Sequence, residues 1–358
     1  MCSDRMYPKR FTSDPALIER ARVVTLRSPN LNILRDDNRA EMPGIAHFLE
    51  DGFKARDKQG KLLLPDLSAL LNTSVGIYSD YGGEDTSSRC FTYSFLICAY
   101  GSLGPFKEKM AALRKSSGIG QKEIAFKDFR HGPSRRMLPA YLRLTDQYIS
   151  GLLFTLVVDK RIPSLFGPGD SETFSKMAAA LEQIGYGALT EKVAEKLFRV
   201  VHCIAFLIAL LVHPGQKIFW MMDHDAIGET PERHSKLLEI LLKVLPLYTT
   251  KSFGFLGGAR PFTPRVFDKL DLLSVSDIAA GALAQCINGI DTVGQENAQI
   301  KQGADHVLRW MCHNSVTLKK FAMTVKRLPD GTPSVGPIDF EARVPVSDEL
   351  FIPTELIR

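Results

Sequence analysis

The stretch Ser74-Val75-Gly76-Ile77-Tyr78-Ser79-Asp80, the turn Tyr81-Gly82-Gly83-Glu84-Asp85 and a second apolar run over 90–100 constrain this chain more than any other part of it. Two β-rich runs separated by glycines and acids predict an antiparallel hairpin. The first run carries few polar residues before its last position, which predicts a strand covered on both faces and ending in a carboxylate. Such a carboxylate either shapes a turn or ligates a metal. The role of Asp80 therefore depends on which partners the rest of the chain supplies.

Before the hairpin, residues 1–72 are mixed in charge, with helical patterns over 15–22 and 45–53, and read as an amino-terminal extension that packs on the main domain or on a partner. After it, 106–115 has the spacing of an amphipathic helix, stopped by Gly118 and Gly120. Glu123-Ile124-Ala125-Phe126-Lys127 reads as a third strand, 134–149 as a helix, and 152–159 as the clearest strand, ending in Asp159. Helices over 173–183 and 190–212 precede a further inner strand, 217–223, which ends in Asp223. Helices follow over 235–245, within 272–288 with Asp277 in the first turn, and over 304–312, before a hairpin of 321–327 and 334–343 around Pro329-Asp330-Gly331. Strands alternating with helices after a hairpin predict a mixed sheet of the α/β class. The expected division is 1–72 as extension, 73–292 as the main domain and 293–358 as a helix and hairpin packed on it.

At 358 residues the chain can bury a large core. Its net charge of +5 suits a polyanionic partner but does not demonstrate one. The six cysteines form no CxxC pair and lie mostly in apolar segments, which argues for free thiols in a reducing compartment and against a zinc site. The first residues lead into no apolar signal core, and the longest apolar run, 200–212, has the length of a buried helix. The expectation is a cytoplasmic protein with no membrane span. Gly254-Phe255-Leu256-Gly257-Gly258 lacks the lysine and Ser/Thr of a phosphate loop, so no nucleotide cradle is expected there.

Three strands end in Asp80, Asp159 and Asp223, and in open α/β sheets ligands bind outside those carboxyl ends. Glu123 opens the remaining strand, and Asp277 sits on a late helix able to cross the sheet. Gathered carboxylates repel one another unless a divalent cation neutralises them. A set of Asp80, Glu123, Asp159, Asp223 and Asp277 thus predicts Mg²⁺ or Mn²⁺ held by oxygen, and two ions about 3.5 to 4 Å apart are the usual device for activating water against a phosphodiester. Each acid has a plainer reading. Asp80 can shape its turn, Asp277 can charge the start of its helix, Asp159 can be a solvated strand end, Asp225 and Glu229 can be loop charges, and Glu123 can pair with Lys127. Lys127, Arg130, Arg135, Arg136, Lys160 and Arg161 are the cations placed to follow a phosphate backbone.

These residues resemble the bacterial and phage proteins grouped as domain of unknown function 3800, within the RNase H-like superfamily. The likeness rests on Ile77-Tyr78-Ser79-Asp80-Tyr81-Gly82-Gly83, on Glu123-Ile124-Ala125-Phe126-Lys127, on Trp220-Met221-Met222-Asp223 and most specifically on Ser274-Val275-Ser276-Asp277-Ile278-Ala279-Ala280-Gly281. It spans about 74–290 and lacks the second acid that many relatives carry in the first turn. The resemblance implies a five-stranded RNase H-like sheet flanked by helices, with additions at both ends. It implies a first strand beside the fourth, which places Asp159 next to Asp80, and a final helix bringing Asp277 to the same place, helped by the small residues Gly281 and Ala284. The expected activity is divalent-metal-dependent hydrolysis of nucleic acid. Asp80, Asp223, Asp277 and Asp159 would hold metal, Glu123 would bind metal or orient water, and Lys127 would meet the scissile phosphate. The alternative is a binding or scaffold protein of a defence or mobile-element system that keeps the fold without turnover. A protein partner on the added ends and a homodimer both remain open.

Overall fold

The computed structural model describes residues 15–130, 132–187, 189–261, 267–293 and 303–340. Helices α1 (Pro15–Val23) and α2 (Gly44–Lys58) precede the hairpin strands β1 (Ser74–Gly82) and β2 (Cys90–Ala99). The chain continues through α3 (Gly104–Ser117), α4 (Gly132–Tyr148), β3 (Gly151–Asp159), α5 (Ser171–Gln183), α6 (Glu191–Leu211) and β4 (Lys217–Met222). It then runs through α7 (Pro231–Val244), β5 (Phe255–Ala259), α8 (Phe267–Val293), α9 (Ala304–Met311), β6 (Leu318–Arg327) and β7 (Pro333–Pro337).

The fold is α/β. Among the described residues, seven strands make one mixed sheet in the order β5-β4-β1-β2-β3-β6-β7. The strands β1, β2 and β3 form an antiparallel meander. On one side β4 and β5 add parallel to β1, which requires crossovers and accounts for the helices between them. On the other side β6 runs parallel to β3 and β7 turns back against β6. Central strands covered on both faces read as continuous apolar runs, and β3 is buried at every position except Asp159.

Alternation along β1 sends successive side chains to opposite faces. Val75 and Ile77 join the larger core, with α2, α5, α6 and α7, while Tyr78 joins the other, with α3, α4, α8 and α9. Helix α6 is buried along most of its length, and its second half, 203–211, is apolar on all sides, as a helix enclosed by its neighbours must be. Its start is capped by Thr190, whose hydroxyl accepts the Val193 N–H at 3.4 Å. Phe53 of α2 packs against Phe154, Phe206 and Phe321, so the amino-terminal residues contribute to the central core.

Several expectations need correction. Residues 123–127 form no strand: 121–125 is irregular and Phe126–Arg130 a 3-10 turn. The alternation there reflects Ile124 and Phe126 packing in the α8 face of the core. The sheet has seven strands instead of five because that one is absent while β5, β6 and β7 are added. The glycine-rich segment read only as a failed phosphate loop is β5, pairing with β4 from Lys217↔Phe255 to Met221↔Ala259. The expected last hairpin is β6 with the shorter β7, and its final residues, 341–343, lie outside the described residues.

Helix α8 begins at Phe267, so Asp277 lies well inside it and not in a first turn. Its segment Lys269–Ile290 is long and apolar enough to span a membrane by length and composition, and two-thirds of its most apolar stretch is buried within the protein. Cys90, Cys98, Cys203, Cys286 and Cys312 are not joined in disulfides, and the first three are buried; Cys2 lies outside the described residues.

Candidate acidic site at the end of the central strands

Two strand ends and one helix deliver the acids to a common rim. Strand β1 does not end at Asp80 but pairs with β2 as far as Gly82, and Asp80, two residues before that end, follows the alternation onto the α8 side of the sheet and is 8% exposed. Beside it, the Asp223 N–H donates to the Ser79 carbonyl at 3.1 Å, extending the β1–β4 ladder one residue past β4. The same alternation turns the half-buried Asp223 to that face.

Asp277 descends from α8, and its neighbour Ser276 fixes the height. The Ser276 hydroxyl donates to the Tyr78 carbonyl at 2.8 Å and accepts the Leu96 N–H at 3.1 Å, pinning the helix between β1 and β2. This places the Asp277 carboxyl in hydrogen-bonding reach of Asp80. The other side of Asp277 takes the Phe126 N–H at 2.6 Å, which ties the 3-10 turn to the site and brings half-buried Glu123 close to Asp223 and Asp277. The signal for Ser276 was present in the Ser-x-Ser-Asp sequence of 274–277, although the pattern alone does not distinguish a sheet-pinning hydroxyl from a cap.

The small residue at 281 serves this arrangement in an unexpected way. A Cβ on Gly281 would lie 2.4 Å from the Phe126 ring, so the glycine admits the 3-10 turn and not the sheet. The close approach to the sheet is made at Ala280, whose Cβ lies 4.0 Å from the Cβ position of Gly82.

The electrostatics follow from burying like charges together. Burial, then Asp277 and Asp223, push the Asp80 carboxyl well above the usual carboxylate range. Asp277 is pushed up to about 6, chiefly by burial, against the opposing Phe126 N–H. Asp223 and Glu123 are raised mainly by burial, Glu123 also by Asp223 and Asp277, while Lys127 favours both ionised forms. Lys127 is exposed on the 3-10 turn. The Asp80–Asp277 pair needs a counter-charge, either a shared proton or a cation. All four donors are carboxyl oxygens, a set suited to a hard divalent ion. Among the described residues, no three His, Cys, Asp or Glu side chains converge tightly enough to hold a metal ion.

Asp159 does not join them. The register runs Asp80–Ser94–Thr155, so Asp159 lies two strands across and four residues further along β3. At about 4.8 Å per strand and 3.3 Å per residue, this is roughly 16 Å away. Its carboxylate is chelated by the Arg161 guanidinium at 2.6–3.1 Å and accepts the Arg327 N–H at 3.3 Å, which together hold it below the usual carboxylate range despite partial burial. Without a strand at 123–127, the strand beside β1 is β4, and the acid it carries is Asp223.

The basic residues also divide. Arg161 is committed to Asp159, and Lys160 donates to the Asp85 carbonyl at 2.6 Å while lying over the Phe91 ring. Arg135 and Arg136 are exposed near the start of α4, whereas the side chain of Arg130 lies outside the described residues. Asp225 proves to be more than a loop charge, since it pairs with Lys196 and caps the short turn after β4 through the Ile227 N–H at 3.0 Å. His224 is exposed, and His202 is buried against Tyr248, its ring pulled down to about 3 by desolvation. No family model matches the chain, and no curated protein matches it in sequence.

Proposed function

We propose that this protein is a divalent-metal-dependent nuclease built on an RNase H-like core, β3-β2-β1-β4-β5, with β6 and β7 added at one edge. The observation that carries the proposal is the convergence of Asp80 and Asp277, from a central strand and a distant helix, on one buried rim. A pair of carboxyls that cannot both ionise unaided is costly to keep unless a cation is their intended partner. The position of β1 beside β4 agrees with the resemblance of 74–290 to the domain of unknown function 3800 proteins.

Asp80, Asp277, Asp223 and Glu123 would hold Mg²⁺ or Mn²⁺. A bound ion would supply Lewis acidity and a lowered pKa for water. The chain's own part is to shield the pair from solvent, to hold Asp277 through Phe126 and Ser276, and to present Lys127 to a phosphate. The exposed Arg135 and Arg136 would follow the backbone of a nucleic acid, in keeping with the net charge of +5.

A second reading, a nucleic-acid-binding or scaffold protein without turnover, is favoured by one observation: no three candidate ligands converge tightly among the described residues. The two separate in one experiment. Labelled single-stranded and duplex DNA and RNA are incubated with the full chain in Mg²⁺, Mn²⁺ or EDTA, beside Asp80→Ala. Cleavage that needs metal and Asp80 supports the nuclease, metal-independent binding without cleavage supports the scaffold, and cleavage indifferent to both chelator and substitution rejects the assigned chemistry.

A further inference from the structure

We propose that Lys196, on the face of the sheet opposite Asp277, is a positioning residue that sets the spacing between Asp80 and Asp223. The inference rests on the nuclease reading for its purpose, though not for its geometry. Lys196 stands on α6, only 8% exposed, and its ammonium bridges two acids from different loops. Glu84 belongs to the β1–β2 turn and Asp225 to the loop after β4. The ammonium also lies 5.0 Å from the centre of the Tyr81 ring.

Each contact lies within four residues of a site acid in sequence. Tyr81 follows Asp80 and points to the opposite face, where its hydroxyl meets the Ser79 hydroxyl at 2.7 Å. That hydroxyl also accepts the Trp220 indole N–H at 2.9 Å, tying β1 to β4 directly behind Asp80. Asp225 lies two residues after Asp223 and anchors the following turn through Ile227. Lys196 therefore holds both strand ends from behind, one through Tyr81 and Glu84 and the other through Asp225.

A stabilising role alone accounts poorly for this choice. Buried ion pairs often do little better than apolar side chains of similar volume. What an apolar residue cannot do is hold two separate loops at once. Groups that orient metal ligands from behind typically change metal affinity about 10- to 100-fold when removed.

The test compares Lys196→Met, Lys196→Arg and the triple variant Glu84→Gln/Lys196→Met/Asp225→Asn in the full chain. Mn²⁺ affinity is measured by calorimetry, and backbone hydrogen exchange is measured in EDTA. The expected result is that Lys196→Met stays folded, exchanges faster at 82–86 and 223–228 and no faster in α4 or β3, and binds Mn²⁺ about 10- to 100-fold more weakly, with recovery in Lys196→Arg. Unchanged exchange at both loops, or Mn²⁺ affinity equal to wild type, overturns the proposal. Should Lys196→Met fail to fold, the triple variant, which leaves neither a buried ammonium nor a buried carboxylate without its partner, gives the same readings. If the wild type binds no Mn²⁺, the nuclease reading fails while the exchange pattern still decides whether Lys196 couples the loops.

Discussion

Asp277 reaches Asp80 from ten residues inside α8, while its neighbour Ser276 is bonded to the backbone of both β1 and β2. The helix and the hairpin are therefore locked together one residue away from the pair of carboxyls. This relationship fixes the expected behaviour of the metal-free protein.

Both carboxyls bind a proton more tightly in the folded chain than unfolded. Stability is then fullest below the unfolded value near 4 and is lost as pH rises through the folded one, about 6 for Asp277. Asp277→Asn removes that loss, and in EDTA at pH 7 it is expected to be more stable than wild type by about 1–2 kcal/mol. Thermal unfolding of both proteins between pH 4 and 8 checks this. A wild-type midpoint that rises steadily over the range would contradict it.

Asp159→Ala is the informative control. It loses the chelate from the exposed Arg161 and the Arg327 contact at a half-buried strand end, a change worth roughly 1 kcal/mol. Metal-dependent cleavage, where the wild type shows it, should persist in this variant and vanish in Asp80→Ala. Equal loss in both would place Asp159 back among the ligands.

Gly281→Ala tests the packing behind the site. The added methyl meets the Phe126 ring, so the 3-10 turn must shift and weaken the Phe126–Asp277 hydrogen bond. Destabilisation of about 1–3 kcal/mol is expected from such overpacking. The restoring partner is Phe126→Leu, and denaturant unfolding of the double variant measures the recovery.

Lys319 lies far from this chemistry, fully buried, its ammonium donating to the carbonyls of Ser315 and Val316 at 3.3 and 3.1 Å. Burial lowers it to about 7. Between about 7 and 10.5 the unfolded chain binds more protons than the folded one, so Lys319 makes stability rise with pH across that window. Lys319→Met should flatten the slope, as read from denaturant midpoints at pH 7, 8 and 9.

The parts legible in the sequence are those with local signatures. The β1–β2 hairpin, the apolar run of β3, the buried α6 and the placing of Asp80 and Asp223 near the carboxyl ends of β1 and β4 follow from periodicity and turn residues, although β1 runs on to Gly82 and β4 stops at Met222. The pairing partner of β1 is a tertiary property, and a false strand at 123–127 displaced the count so that Asp159 took the place belonging to Asp223. Strand β5 was hidden because Gly257 and Gly258 have no side chain to pack, and its register is set by β4. Lys196 could not be inferred because its partners lie over a hundred and nearly thirty residues away, joined only by the fold.

The aromatic cluster around Phe53 bears on how this gene can be cut. A version beginning at Thr73 would uncover Phe154, Phe206 and Phe321, three rings that no solvent-facing surface tolerates together, and such a fragment should be recovered as insoluble aggregate. Helix α2 and the sheet are thus one folding unit, and a cut between them divides a core.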